Sequence, residues 1–218
     1  MNNHLSNKLK ARLCAYWRYD RQCSLVALEA NCRLVAWNSG GQGDVLVVNK
    51  KGWLIENEVK TSLTDLQTDR NKPKHYHLYL DYYKDVNLLP DVKGWRRHKD
   101  WLAHRHLWTK EDYNYPISLF YFAVPAELST DALRICKELY PYAGLIELSN
   151  LDQLDWIHYS VSTNIVKEPY FFKRPELNAS QNLHIYREMS ATICRLSMQI
   201  EQLKADMEQS KTKEINNI

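Results

Sequence analysis

Apolar positions recur along this chain with different periods, and each period predicts a different element. From 4 to 19, Leu5, Leu9, Leu13 and Tyr16 or Trp17 return at helical spacing, with Lys8, Lys10, Arg12 and Arg18 elsewhere around the turn. That spacing predicts a helix whose apolar stripe packs on a sheet. Leu25–Ala30 reads as a first strand, which Arg33–Trp37 extends or pairs with. Gly43–Val48 and Trp53–Lys60 are two apolar arms around Asn49-Lys50-Lys51-Gly52, a linker carrying the Asn and Gly that turns use. They predict a β-hairpin. A helix is expected from about Leu63 to Arg70, capped by Ser62 or Thr61 and closed by Pro73. Ile117–Val124 is a continuous apolar run, as in a central strand buried on both faces. Asp131–Leu139 reads as a short helix, Leu145–Leu148 and Trp156–Val161 as strands, and Val166–Pro169 as the way out of the core. Strands and helices mixed in this way indicate an α/β or α+β core, here one domain over residues 1–178.

The last helix is expected to start near Ser180. Tyr186, Met189, Ile193, Leu196, Ile200, Leu203 and Met207 alternate steps of three and four, a heptad seam of about three repeats. Its first half is expected to pack on the domain. Beyond about Leu196 the flanking residues are polar, which suggests a partner helix and a homodimer, or else a helix left in solvent. The helix is assigned to 179–210, and the polar residues 211–218 to a disordered tail.

The hairpin also carries charge. Side chains alternate along a strand, so Glu56, Glu58 and Lys60 share one face while Ile55, Asn57 and Val59 share the other. Asp44 begins the first arm and can lie near Glu58 across the pair. Gathering like charges is costly unless a cation or counter-charge offsets them, and oxygen donors of this kind suit a hard ion such as Mg²⁺. Such an ion activates water and neutralises charge on a phosphate oxygen. The alternative is a set of solvated surface charges. Downstream, Asp65 and Asp69 are four residues apart on one helical face. Ser62 and Asp65 either support the site or simply cap the helix.

At these residues the chain resembles the PD-(D/E)XK nuclease superfamily: Asp44, then Glu58-Val59-Lys60 after a short hairpin. Gly43 stands where the motif has its Pro. Glu58 through Arg70 is similar to the EIK-x-S-x-x-D-F-x-x-D-x-K stretch of the MmcB-like DNA repair group. Leu119–Pro125 resembles that group's LYFAVP strand, and Pro141–Ile146 its P-x-x-x-GLI segment. The resemblance covers roughly 25 to 175 with one insertion, about 85–114. It implies a restriction-endonuclease-like fold acting on DNA, with a central mixed sheet flanked by helices. It further implies that Asp44 and Glu58 bind Mg²⁺ or Mn²⁺ with the Val59 carbonyl, and that Lys60 orients the attacking water. Glu29 is then a candidate for the additional acid that many such enzymes supply. Glu56 departs from the group and is either a spare ligand or a salt-bridge partner of Lys60. Lys74 and Tyr79 are candidates for the Lys and Tyr that the group carries near the active site, and so for contact with DNA.

Composition changes this picture little. A net charge of +3 leaves nucleic-acid binding to local clusters. The segment Trp95–Trp108 sets Arg96, Arg97, Lys99 and Arg105 among three tryptophans, a mix suited to phosphate and bases. An amphipathic helix with buried tryptophans is the other reading. Asn38–Gly43 is a glycine-rich loop followed by a strand, so it is not a phosphate-binding P-loop. Five cysteines, with no closely spaced CxxC pair, read as thiols of a cytoplasmic protein. No membrane span or signal peptide is expected. The function expected is a metal-dependent endodeoxyribonuclease of DNA repair, recombination or phage and mobile-element DNA processing. The alternatives are a DNA-binding module or assembly protein on the same fold.

Overall fold

Six strands pair side by side in chain order into one mixed sheet. They are β1 (Leu25–Ala30), β2 (Gly43–Val48), β3 (Leu54–Val59), β4 (Ile117–Pro125), β5 (Gly144–Leu148) and β6 (Thr163–Lys167). The computed structural model describes residues 3–30, 43–87, 116–151 and 162–216. The expected features at Arg33–Trp37, Trp95–Trp108 and Trp156–Val161 lie outside those residues. The first three strands form an antiparallel meander. β4 joins β3 in parallel, β5 joins β4 in parallel, and β6 closes the far edge antiparallel.

The turn between β2 and β3 shows why this hairpin forms where it does. The Asn49 side chain accepts from the backbone N–H groups of Lys51 (2.9 Å) and Trp53 (3.1 Å), closing an Asx turn. Gly52 has φ +76°, a left-handed backbone that glycine adopts without a Cβ clash.

Helices cover both faces of the sheet. Helix α1 (Asn3–Ala15) ends in a π-turn, Tyr16–Asp20, and lies on one face. Its Leu9 and Leu13, with Trp17 of the π-turn, meet Val45, Val47, Ile55 and Ile146. The other face carries α2 (Leu63–Thr68), α3 (Pro73–Asp85), α4 (Ser129–Leu139) and the start of α5 (Ala179–Asn216). There Leu66, Leu78, Ile135 and Ile185 pack with Leu46, Phe120, Phe122 and Leu145.

The architecture is therefore a mixed α/β fold with helices on both sides and a long C-terminal helix. Two expectations are corrected. Pro73 opens α3 rather than closing α2, since its fixed φ and missing N–H suit a first helical position. The last described strand is Thr163–Lys167, a segment partly read as the exit from the core. Its half-exposed edge position leaves little apolar alternation to find. Gly144 answers to packing: a Cβ there would lie 2.5 Å from the Tyr121 ring on the neighbouring strand.

Candidate active site

Strand β3 is buried along its whole length, Glu56 and Glu58 included. Two buried carboxylates on one face of a central strand need cations close by. Helix α3 supplies one: Lys74, itself buried, pairs with Glu56 at 2.6 Å and also with Glu58. Lys72, just before α3, reaches Glu58 at 3.2 Å and Asp69 at 2.7 Å. Lys60, one residue past β3, pairs with Asp69 at 2.5 Å and approaches Glu58 at 3.7 Å and Asp65 at 3.6 Å. Its backbone N–H donates to the Ala123 carbonyl of β4, which fixes where its side chain starts.

The charge states follow from this network. Burial works against ionisation of Glu58, but Lys74 and Lys72 outweigh it and bring its carboxyl down to about 2. Burial likewise disfavours charge on Lys74, yet Glu56 and Glu58 hold it firmly protonated. Asp69 is also buried, and His75, Lys60 and Lys72 around it keep it ionised.

His75 is fully enclosed between Asp69 (Nε2 to Oδ2, 2.5 Å) and the Tyr142 hydroxyl (2.8 Å from Nδ1). Burial brings its pKa down to about 4, against the pull of Asp69. An ionised carboxylate only accepts, so Nε2 carries the proton and Nδ1 accepts from the tyrosine. Asp69 is held in place from a second side. The Tyr140 hydroxyl donates to the Leu66 carbonyl (2.6 Å) and accepts from the Arg70 N–H (2.8 Å), pinning the end of α2.

Across the hairpin, Asp44 lies one step beyond the Val45–Asn57 pair and its Oδ2 accepts from the Val59 N–H at 2.8 Å. Burial and the nearby charge of Glu58 both raise its pKa, while Lys10 and the Val59 hydrogen bond lower it. Lys10 of α1 bridges Asp44 (2.9 Å) and Glu29 (3.0 Å). Glu29 sits at the end of β1 with φ +48°, a left-handed backbone unusual for a strand residue. Its carboxylate is held there by Lys10 and by Arg195 of α5 at 3.1 Å. Glu29, Asp44, Glu58, Val59, Lys60 and Lys72 line one open cleft of about 540 Å³ at this end of the sheet.

The structure thus brings Asp44, Glu58, Lys60 and Glu29 to one cleft, with Val59 beside them. Ser62 caps α2, accepting from the Asp65 N–H at 3.2 Å. Glu56, read as a spare ligand or a salt-bridge partner of Lys60, pairs with Lys74. Lys74 does lie beside the site, but it and Tyr79, expected to contact DNA, are both buried, Lys74 under the carboxylates and Tyr79 in the core against Tyr83. Arg96, Arg97, Lys99 and Arg105 lie outside the described residues. Lys10, Lys72 and the Asp69–His75–Tyr142 chain were missed as parts of the site. The available signal was the need for counter-charges: a same-face Glu56/Glu58 pair requires them, and Lys72 and Lys74 are near in sequence.

Among the described residues, no three acidic, His or Cys side chains converge on one point as a preformed metal shell. The donor chemistry nevertheless fits a hard divalent ion. Asp44 and Glu58 are close enough to repel, they open on a cleft, and Glu29 and the Val59 backbone stand next to them. Lys10 is the group that such an ion would displace from Asp44.

No family model matches the sequence, and no curated protein matches it. A similar solved structure is the SPO1766 protein of unknown function from Silicibacter pomeroyi. It is 14% identical, covers 91% of this chain and 92% of its own, and has a TM-score of 0.47.

Proposed function

We propose that this chain is a metal-dependent nuclease that hydrolyses DNA phosphodiester bonds, built on a restriction-endonuclease-like core. The supporting observation is that one hairpin end brings Asp44, Glu58 and Lys60 to the same open cleft. Asp44, Glu58 and the Val59 carbonyl would hold Mg²⁺ or Mn²⁺, with Glu29 as the additional acid. A bound divalent ion supplies a more acidic water and offsets charge on the phosphate. Lys60, oriented by Asp69, lies where it can position that water or stabilise negative charge developing on the phosphate. Lys72 is more exposed than Lys10, Lys60 or Lys74, at 40% for its side chain, and would take the phosphate-facing role. The test is cleavage of single-stranded, nicked, branched and duplex DNA with Mg²⁺ or Mn²⁺. Cutting by the wild type that disappears in Lys60→Ala and Asp44→Asn supports the reading. No cutting of any substrate, with DNA binding retained, overturns it.

A second reading rests on a specific observation: both oxygens of Glu58 and one of Asp44 already meet ammonium groups. A chain with that arrangement as its permanent state would be a DNA-binding module or assembly protein on the same fold. Divalent-ion titration separates the two, because the module binds none at the cleft.

A further inference from the structure

Helix α5 divides sharply at Thr192. Before it, Ile185 is fully buried and Met189 packs on the core, and the Thr192 hydroxyl donates to the Leu28 carbonyl of β1 at 3.4 Å. From Ile193 to Met207 every residue is exposed, and among the described residues none of the apolar side chains of this length is buried, while Arg195 reaches Glu29. Yet it is not polar all round. Ile193, Leu196, Ile200, Leu203 and Met207 are 42–62% exposed and follow one another at steps of three and four. Helices of this kind draw most of their stability from burying an apolar stripe, so a bare stripe of this regularity calls for a cover.

The identity of the residues chooses the cover. In heptad positions the stripe sets Ile193 and Ile200 at a and Leu196 and Leu203 at d. β-branched residues at a with Leu at d favour two parallel strands, whereas Ile at both positions, or the reverse order, favours three or four. The flanks agree. Positions e and g are Ser190, Ser197 and Lys204, and Thr192, Gln199 and Asp206. In a parallel, in-register pair each g residue faces the e residue of the next heptad, which sets Gln199 against Lys204 and brings no like charges together.

We infer that residues 193–207 form a parallel two-stranded coiled coil with the same segment of a second copy of this chain. The seam starts next to Arg195, whose guanidinium holds Glu29 at the edge of the cleft. The pairing therefore begins beside the site and sets two clefts at the same end of the dimer.

The test uses the full chain. Sedimentation is followed over a hundredfold range of concentration for the wild type and for Ile200→Lys, a substitution at an exposed position. The expected result is a wild-type mass that rises from one chain to two and stops there, with the variant monomeric throughout and its thermal melt equal to that of the wild type at concentrations where both are monomeric. A wild type that stays monomeric, a larger assembly, or a variant that still dimerises would overturn the inference. Orientation is read from Met207→Cys in a Cys194→Ser background. In the parallel pair the new thiols face each other and cross-link under mild oxidation. In an antiparallel pair they lie roughly 20 Å apart at opposite ends and do not. Failure to cross-link in a chain that still dimerises would overturn the parallel arrangement. None of these readouts depends on nuclease activity.

Discussion

Lys74 of α3 sits directly beneath Glu58 of β3, and neither side chain has appreciable access to water. The Lys74 ammonium also holds Glu56, so one cation answers two buried carboxylates. Lys74→Met removes the cation the two carboxylates share, leaves Glu58 to Lys72 and Lys60, and is expected to cost about 3–5 kcal/mol, the range for removing one partner of a buried ion pair. Adding Glu56→Gln to Lys74→Met should restore part of the loss, because one stranded charge is then gone. Urea denaturation of the two single variants and the double variant checks this; strict additivity would contradict the geometry.

Asp69 orients Lys60 without reaching the cleft, so it is a positioning residue. In the proposed nuclease, Asp69→Asn keeps a hydrogen bond but removes the charge that holds the ammonium. The expected effect is a fall in kcat of roughly ten- to a hundredfold with little change in KM, as for an interaction made mainly in the transition state. Steady-state cleavage decides the point: a rise in KM with kcat intact would mean that Asp69 serves substrate binding.

Lys10 competes for Asp44 with any cation that enters the cleft. Lys10→Met removes the competitor and leaves Asp44 and Glu29 facing the opening. Divalent ions should then bind more tightly, by about tenfold or more, if the displaced ion pairs are worth about 1.4 kcal/mol. Calorimetric titration with Mg²⁺ and Mn²⁺ reads this directly. Weaker binding in the variant would show instead that Lys10 supports the ion.

His75 makes the fold sensitive to acid. The group titrates near 6.5 when free and at about 4 when enclosed by Asp69, Tyr142, Lys74 and Lys72. Between those values the unfolded chain binds a proton that the folded chain does not. Stability therefore falls as pH drops through this window, by up to about 1.4 kcal/mol per pH unit. Glu58 acts in the same direction further down: the stabilisation from its lowered pKa is complete above about 4.5 and is lost as pH falls toward 2. Thermal melts from pH 7 to pH 4 should show the first slope, and His75→Gln should flatten it.

The hairpin and the charges on its end were legible because strict alternation assigns each side chain a face, and β2 and β3 keep it without a break. The central strand β4 was legible for the opposite reason, since burial on both faces leaves one unbroken apolar run. The cations were not. Lys74 and His75 lie in a stretch where basic and aromatic residues alternate, which looks like a surface for nucleic acid. Lys74 is buried against carboxylates sixteen and eighteen residues earlier, and His75 against Asp69 and the distant Tyr142, and no local period records those distances. Lys10 was hidden likewise: on α1 it is simply one more basic residue off the apolar stripe, and only the sheet beneath reveals its carboxylate partners. Asp69 was placed on the same helical face as Asp65, but α2 ends before it, and the neighbouring Arg70 N–H is held by Tyr140, seventy residues further on.

The parallel pairing of β3 with β4 carries a kinetic consequence. The meander β1–β2–β3 closes through local turns, whereas β4 reaches β3 only after the whole stretch from Lys60 to Pro116 has been looped out. Loop closure of that length is slow relative to hairpin formation. A chain with its hairpin made and its crossover open still has Glu56 and Glu58 in water. Dehydrating them, together with Lys74, then falls on the same late step that docks α3 and β4. Refolding should accordingly be more sensitive to salt and to pH than hairpin formation itself.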